Sequence, residues 1–154
     1  MGLSRQYQIE DFAGDGKLNE LISILSDDYT QLELDIALEN AIAYSQIETA
    51  EYLLSKDAKF SNYNYQGTYY AVHNNELEGL KFAIQNGVEI NVNNGMIINT
   101  SILTSINNKN TDLLIWILQN GGNPKLLSKQ NLNIVFHSDY QNLKELLDIT
   151  LQKK

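Results

Sequence analysis

The chain repeats itself, and that constrains its fold more than any other feature. Residues 18–25 (LNELISIL), 47–54 (IETAEYLL), 77–84 (LEGLKFAI) and 111–118 (TDLLIWIL) each follow a short polar turn and carry apolar residues at helical spacing. Leu18, Leu21 and Leu25 fall on one stripe, as do Leu77, Leu80 and Ile84. Aligning the four segments places equivalent turn positions at Gly16, Ser45, Asn75 and Lys109, at nearly even intervals of which the last is the longest. A fifth, weaker copy is anchored near Ser138 and runs through residues 143–147 (LKELL). Two copies close on Gln-Asn-Gly, at residues 85–87 and 119–121, and Asp57 stands where the second copy would have its glycine. Asn-Gly suits a left-handed residue ending a helix. One short helix pair cannot bury its own apolar face, so the pattern predicts an all-α solenoid in which neighbouring pairs stack.

The third copy carries a resemblance. Residues 71–91 read AVHNNELEGLKFAIQNGVEIN, which resembles the alanine helix, polar turn, leucine-rich helix and closing Gly-Ala-Asp-Val-Asn of the ankyrin repeat. Residues 55–61 (SKDAKFS) are a weaker version of that closing segment. The family's Thr-Pro-Leu-His box is degraded; residues 100–103 (TSIL) are its best remnant, and the second copy keeps Leu38 and Ala41. The resemblance covers residues 7–150. It implies one helix-turn-helix array with short hairpin tips and repeats at about 7–30, 36–61, 67–93, 100–126 and 130–151. First helices of about eight or nine residues, such as 36–44, favour this reading over a tetratricopeptide-like array.

Charge is unevenly placed. The chain has 154 residues and a net charge of −8, yet residues 7–57 hold twelve acids against Lys17 and Lys56, net −10. The remainder is net +2. No basic face for nucleic acid is visible, so the acidity points to a basic protein partner or to solubility. No apolar run is long enough to span a bilayer. The start has no leader-like apolar stretch, and Gln6 stands where a myristoylation motif wants Ser or Thr. A cytoplasmic protein, monomeric when free, without cofactor or metal, is expected.

Catalytic chemistry has few carriers. The chain has no cysteine and two histidines, His73 and His137, two copies apart and so too distant to share a metal. Residues 14–17 (GDGK) lack the spacing of a phosphate loop, because Leu18 follows the lysine. There is no Gly-x-Ser-x-Gly elbow and no EF-hand spacing. Asp27 and Asp28, with Glu33 and Asp35, read as a solvated acidic face. Trp116 reads as core, with Leu80, Ile84, Leu114 and Leu118 buried between second helices. The expectation is a protein that is not an enzyme.

Ankyrin-like arrays bind proteins through hairpin tips and the exposed face of first helices. Carried over, this gives first-helix candidates Tyr44, His73, Asn74, Asn107, Asn108 and His137. Tip candidates are Glu33, Asp35, Asn62, Tyr63, Tyr65, Asn91 and Asn93. Tyr69 belongs to the same tyrosine-rich segment, and Glu39 to the acids that would steer a basic partner. Tyr63 and Tyr65 alternate with Asn62 and Asn64, so an extended tip would present both rings on one side. Such a module acts by occupying its partner. An inhibitor or antitoxin or immunity-type protein against a basic partner is the leading expectation. An adaptor, scaffold or host-interaction protein is one alternative, and an acidic nucleic-acid mimic is another.

Overall fold

The computed structural model describes residues 4–26 and 28–152, so Asp27 lies outside the described residues. Among these the chain is all-helical, with no strand. It packs into two compact units that divide between Gly87 and Val88.

The first unit holds α1 (Arg5–Gly14), α2 (Leu18–Ile24), α3 (Gln31–Ala43), α4 (Ile47–Ser55), α5 (Asn62–His73) and α6 (Leu77–Gln85). Two of its helices, α1 and α3, start on side-chain caps. Ser4 accepts from the Tyr7 amide, and Thr30 and Glu33 form a reciprocal capping box at the head of α3. α3 is the central helix, packed by α1, α4, α5 and α6. It is therefore buried nearly all round, from Leu34 to Ala43 apart from Asn40. It begins ahead of the expected 36–44, because the capping box sets its start at Gln31. Gly79 lets α6 reach α3: a Cβ there would collide with the Ile42 carbonyl oxygen. The Gly79 amide instead donates to Ser45 Oγ at 2.9 Å.

The second unit holds α7 (Val92–Asn108), α8 (Asp112–Gln119), a 3-10 turn at Pro124–Leu126, α9 (Lys129–His137) and α10 (Gln141–Gln152). Its core is Ile97, Ile98, Ile102, Leu113, Leu114 and Ile117, with Leu143 and Leu147 from α10. Asn99 uses its whole carboxamide here. It donates to Gly95 O and Leu126 O and accepts from the Ser128 amide and Asn131 Nδ2.

The repeat is visible in the backbone. Gly16, Ser45, Asn75 and Lys109 all have positive φ, at 71°, 57°, 59° and 47°. Each sits in the same helix-ending motif. The amide that follows bonds back into the last helical turn, from Lys17 to Phe12 O, Gln46 to Ala41 O, Glu76 to Ala71 O and Asn110 to Ser105 O. The closing positions Asp57, Gly87 and Gly121 are also left-handed, at 70°, 110° and 98°. The fifth copy departs: Ser138 is extended and its hydroxyl accepts from the Tyr140 amide. Leu80 and Leu114 are fully buried as expected, whereas Ile84, Trp116 and Leu118 are half-buried.

Candidate functional site

The first helices of unit 1 leave a groove of about 310 Å³ between them. Glu10 enters from α1; Glu39, Asn40 and Ala43 come from α3, with Tyr44 at its end. Gln66, Tyr70, His73 and Asn74 close the other wall from α5. The groove exists because α5 lies directly against α3: a Cβ on Gly67 would stand 2.6 Å from Glu39 Cα. That contact buries Glu39, which is 7% exposed.

Glu39 is the unusual group. Asn62 Nδ2 donates to its Oε1 at 2.7 Å. Among the described residues the ion pairs are Arg5–Glu33 and Lys81–Glu78, so Glu39 has no cation. Burial pushes its carboxyl up to about 7; the Asn62 hydrogen bond opposes the rise, and Asp35 and Glu10 add to it. The rim is aromatic. Tyr44 is 52% and Tyr70 42% exposed. His73 stacks on Tyr69 at 5.8 Å between ring centres and meets Tyr70 edge-on at 6.1 Å. A buried carboxylate under exposed rings, with no internal cation, suits a positively charged group and repels anions.

The structure gathers Glu39, Tyr44, His73 and Asn74 into this one groove, with Asn62 bonded to its floor. Sequence reasoning did not place Glu10, Asn40, Gln66 or Tyr70 among its candidates. The signal was present: residues 66, 70 and 74 fall on one helical stripe.

Several other candidates have structural duties. Asp35 is no part of a solvated face; it is 7% exposed and its Oδ1 accepts from Gln31 Nε2 and the Lys59 amide. Glu39, expected among the acids that steer a basic partner, is likewise buried. Glu33 belongs to the capping box and to the 2.6 Å pair with Arg5, which holds its carboxyl below the usual range. Asn74 Nδ2 donates to Ala43 O. Asn91 bridges Gly121 O and the Asn123 amide, and Asn108 bonds back to Thr104 O.

The tyrosine tip is not extended. Tyr63, Asn64 and Tyr65 are all left-handed, at φ 48°, 56° and 65°. They form a single left-handed turn closed by the Tyr65 amide on Ser61 O. Consecutive residues in such a turn do not alternate sides as in a strand, and Tyr63 is 58% exposed while Tyr65 is half-buried. In unit 2, Asn93 and Asn107 are exposed. His137 is exposed as well, edge-on to Phe136 and beside a separate groove lined by Leu103, Ile106 and Tyr140.

Among the described residues no group of three or more His, Asp or Glu is arranged to hold a metal, and no helix is long and apolar enough to cross a membrane. The chain matches no protein-family model and no curated protein sequence.

Proposed function

We propose that this chain is a non-enzymatic protein-binding module of ankyrin-like repeat type, acting by occupying a partner with a basic surface. The observation that carries the reading is the groove on unit 1, where exposed rings surround a buried carboxylate that has no cation of its own. The ankyrin-like part is supported by four helix-ending turns of one geometry, recurring at nearly even intervals along the chain. The groove lies on the first helices, where such arrays make their contacts. An inhibitor or immunity-type role follows from a module that carries a contact surface and no evident chemistry. Phosphate mimicry gains less support, because Asp35 and Glu39 are turned into the protein rather than displayed.

The test is cross-linking in the native host. A photo-reactive phenylalanine analogue replaces Tyr44 or Tyr70 on the groove, or Glu48, which lies on α4 away from it. One consistent protein cross-linked from both groove positions and not from Glu48 is the expected result. Tyr70→Ala should then weaken that complex by ~10-fold or more. Cross-links from Glu48 alone would move the contact surface to the second helices and end this reading.

A further inference from the structure

Resting on that reading, we infer that the groove takes a single cationic side chain, a lysine or arginine carried on a protruding segment of the partner. Its charged head meets Glu39 and its stem runs along the rings of Tyr44 and Tyr70.

Size sets the first limit. About 310 Å³ lies at the small end of ligand pockets, enough for one long side chain and not for a helix. Charge sets the second. The carboxylates facing Glu39 are Glu10 from α1 and Asp35 from α3, and His73 from α5 is the titratable nitrogen donor along the wall. Asp35 is saturated on one oxygen by Gln31 and Lys59. Glu39 Oε1 accepts from Asn62, leaving Oε2 for a donor from outside. Shape sets the third: exposed tyrosine rings beside a carboxylate accept a methylene stem and favour a cation over their faces.

Burial keeps a proton on the Glu39 carboxyl near neutrality, Asp35 and Glu10 add to the effect, and the free groove holds no cation to oppose it. A bound ammonium or guanidinium supplies the charge, and the proton leaves to solvent. Binding therefore strengthens as pH rises towards 7, with up to one proton released per site. His73 lines the same wall, so its part in any pH dependence is removed separately by substitution.

The experiment titrates the full chain by NMR with Nα-acetyl-lysinamide and Nα-acetyl-argininamide. Nα-acetyl-norleucinamide serves as the uncharged control and putrescine as a free diamine. Tyr44, Tyr70 and His73 resonances should respond to the two cationic probes at least ~10-fold more strongly than to norleucinamide. E39Q should lower their affinity by ~10-fold with no loss of melting midpoint, since Gln keeps the oxygen that Asn62 binds. E10Q, at the half-buried rim, should give a smaller loss and decides the matter if E39Q folds poorly. H73Q should retain the proton release and E39Q should lack it. Norleucinamide binding as well as lysinamide, or full affinity in both E39Q and E10Q, overturns the inference. Putrescine binding more tightly than either amino-acid probe assigns the groove to a free amine and overturns the protein-borne source. Partner cross-links at Tyr44 that survive E39Q at full yield remove the cation inference alone. Probe binding without groove cross-links removes the protein-binding reading instead.

Discussion

The tips at residues 62–65 and 92–95 have one backbone shape and two different fasteners. In the second, Asn93, Asn94 and Gly95 are left-handed at φ 54°, 55° and 91°, closed by the Gly95 amide on Asn91 O. The first reaches the same turn with tyrosine at its first and third positions. A left-handed non-glycine residue costs about 1–2 kcal/mol, so neither tip is dictated by local preference alone. The second is tied down by Asn91 bridging Gly121 and Asn123. The first is tied by Asn62 to a carboxylate in a groove. Equal geometry thus arises from a purely structural clamp in one unit and from a bond to the candidate site in the other.

The sharpest way to break the comparison is Gly95→Ala. At φ 91° a Cβ would stand 2.7 Å from Leu126 Cβ, so strain and overpacking combine. A loss of about 2–5 kcal/mol is expected in urea unfolding; a loss below about 1 kcal/mol would mean that the tip relaxes freely. Asn91→Ala comes next. It removes two exposed hydrogen bonds, to the Gly121 carbonyl and from the Asn123 amide, which water replaces in part, at an expected cost of about 1–2 kcal/mol by the same measurement.

The fastener of the first tip is read through pH. The folded-state carboxyl of Glu39 is raised to about 7 from an ordinary value of 4.5. Its proton-linked stabilisation is therefore complete below about 4.5 and is lost as pH rises through 7. Because the groove is open on one side, this amounts to about 1–2 kcal/mol rather than the full shift. Urea midpoints from pH 4 to 8 should fall in the native chain and stay flatter in Glu39→Gln; parallel profiles would remove Glu39 as the cause. The smallest effect is a gain. Thr68 Oγ1 is buried without a hydrogen-bond partner, and the equivalent position of the next copy is Ile98, also buried. The usual helical acceptor one turn back is Asn64, whose left-handed backbone takes its carbonyl off the helical path. Thr68→Val should stabilise by about 1 kcal/mol in thermal melts, and a loss would reveal a partner for the hydroxyl.

These particulars also mark where the sequence was legible. Gly16, Ser45, Asn75 and Lys109 could be aligned by period alone, and the structure puts all four in the same left-handed motif, although Ser and Lys carry little preference for it. Periodicity reports what these four copies share, whatever residue does it. The tyrosine tip was misread because two tyrosines alternating with asparagines imitate a strand, while the glycine that signals a left-handed turn occurs only in the other tip, at Gly95. The groove was half legible. Tyr44, His73 and Asn74 were reached as first-helix positions, but Glu39 was reached only as one of the acids that would steer a basic partner, not as a buried group. Nothing local shows that Gly67, on the next first helix, brings a backbone down upon it.

The Asn-Gly helix ends carry a consequence for how this protein ages chemically. Deamidation at such a pair begins when the nitrogen after the asparagine attacks its side-chain carbon, and the resulting isoaspartate adds an atom to the main chain. At Asn86–Gly87 the carboxamide is held by the Phe82 carbonyl at 2.8 Å and the Gly87 amide by Ile84 O at 3.2 Å. At Asn120–Gly121 the carboxamide is held in the same way by Trp116 O at 2.8 Å. Each bond must open before the ring can close, so the ageing rate at these sites is a clock for fraying of the last turns of α6 and α8.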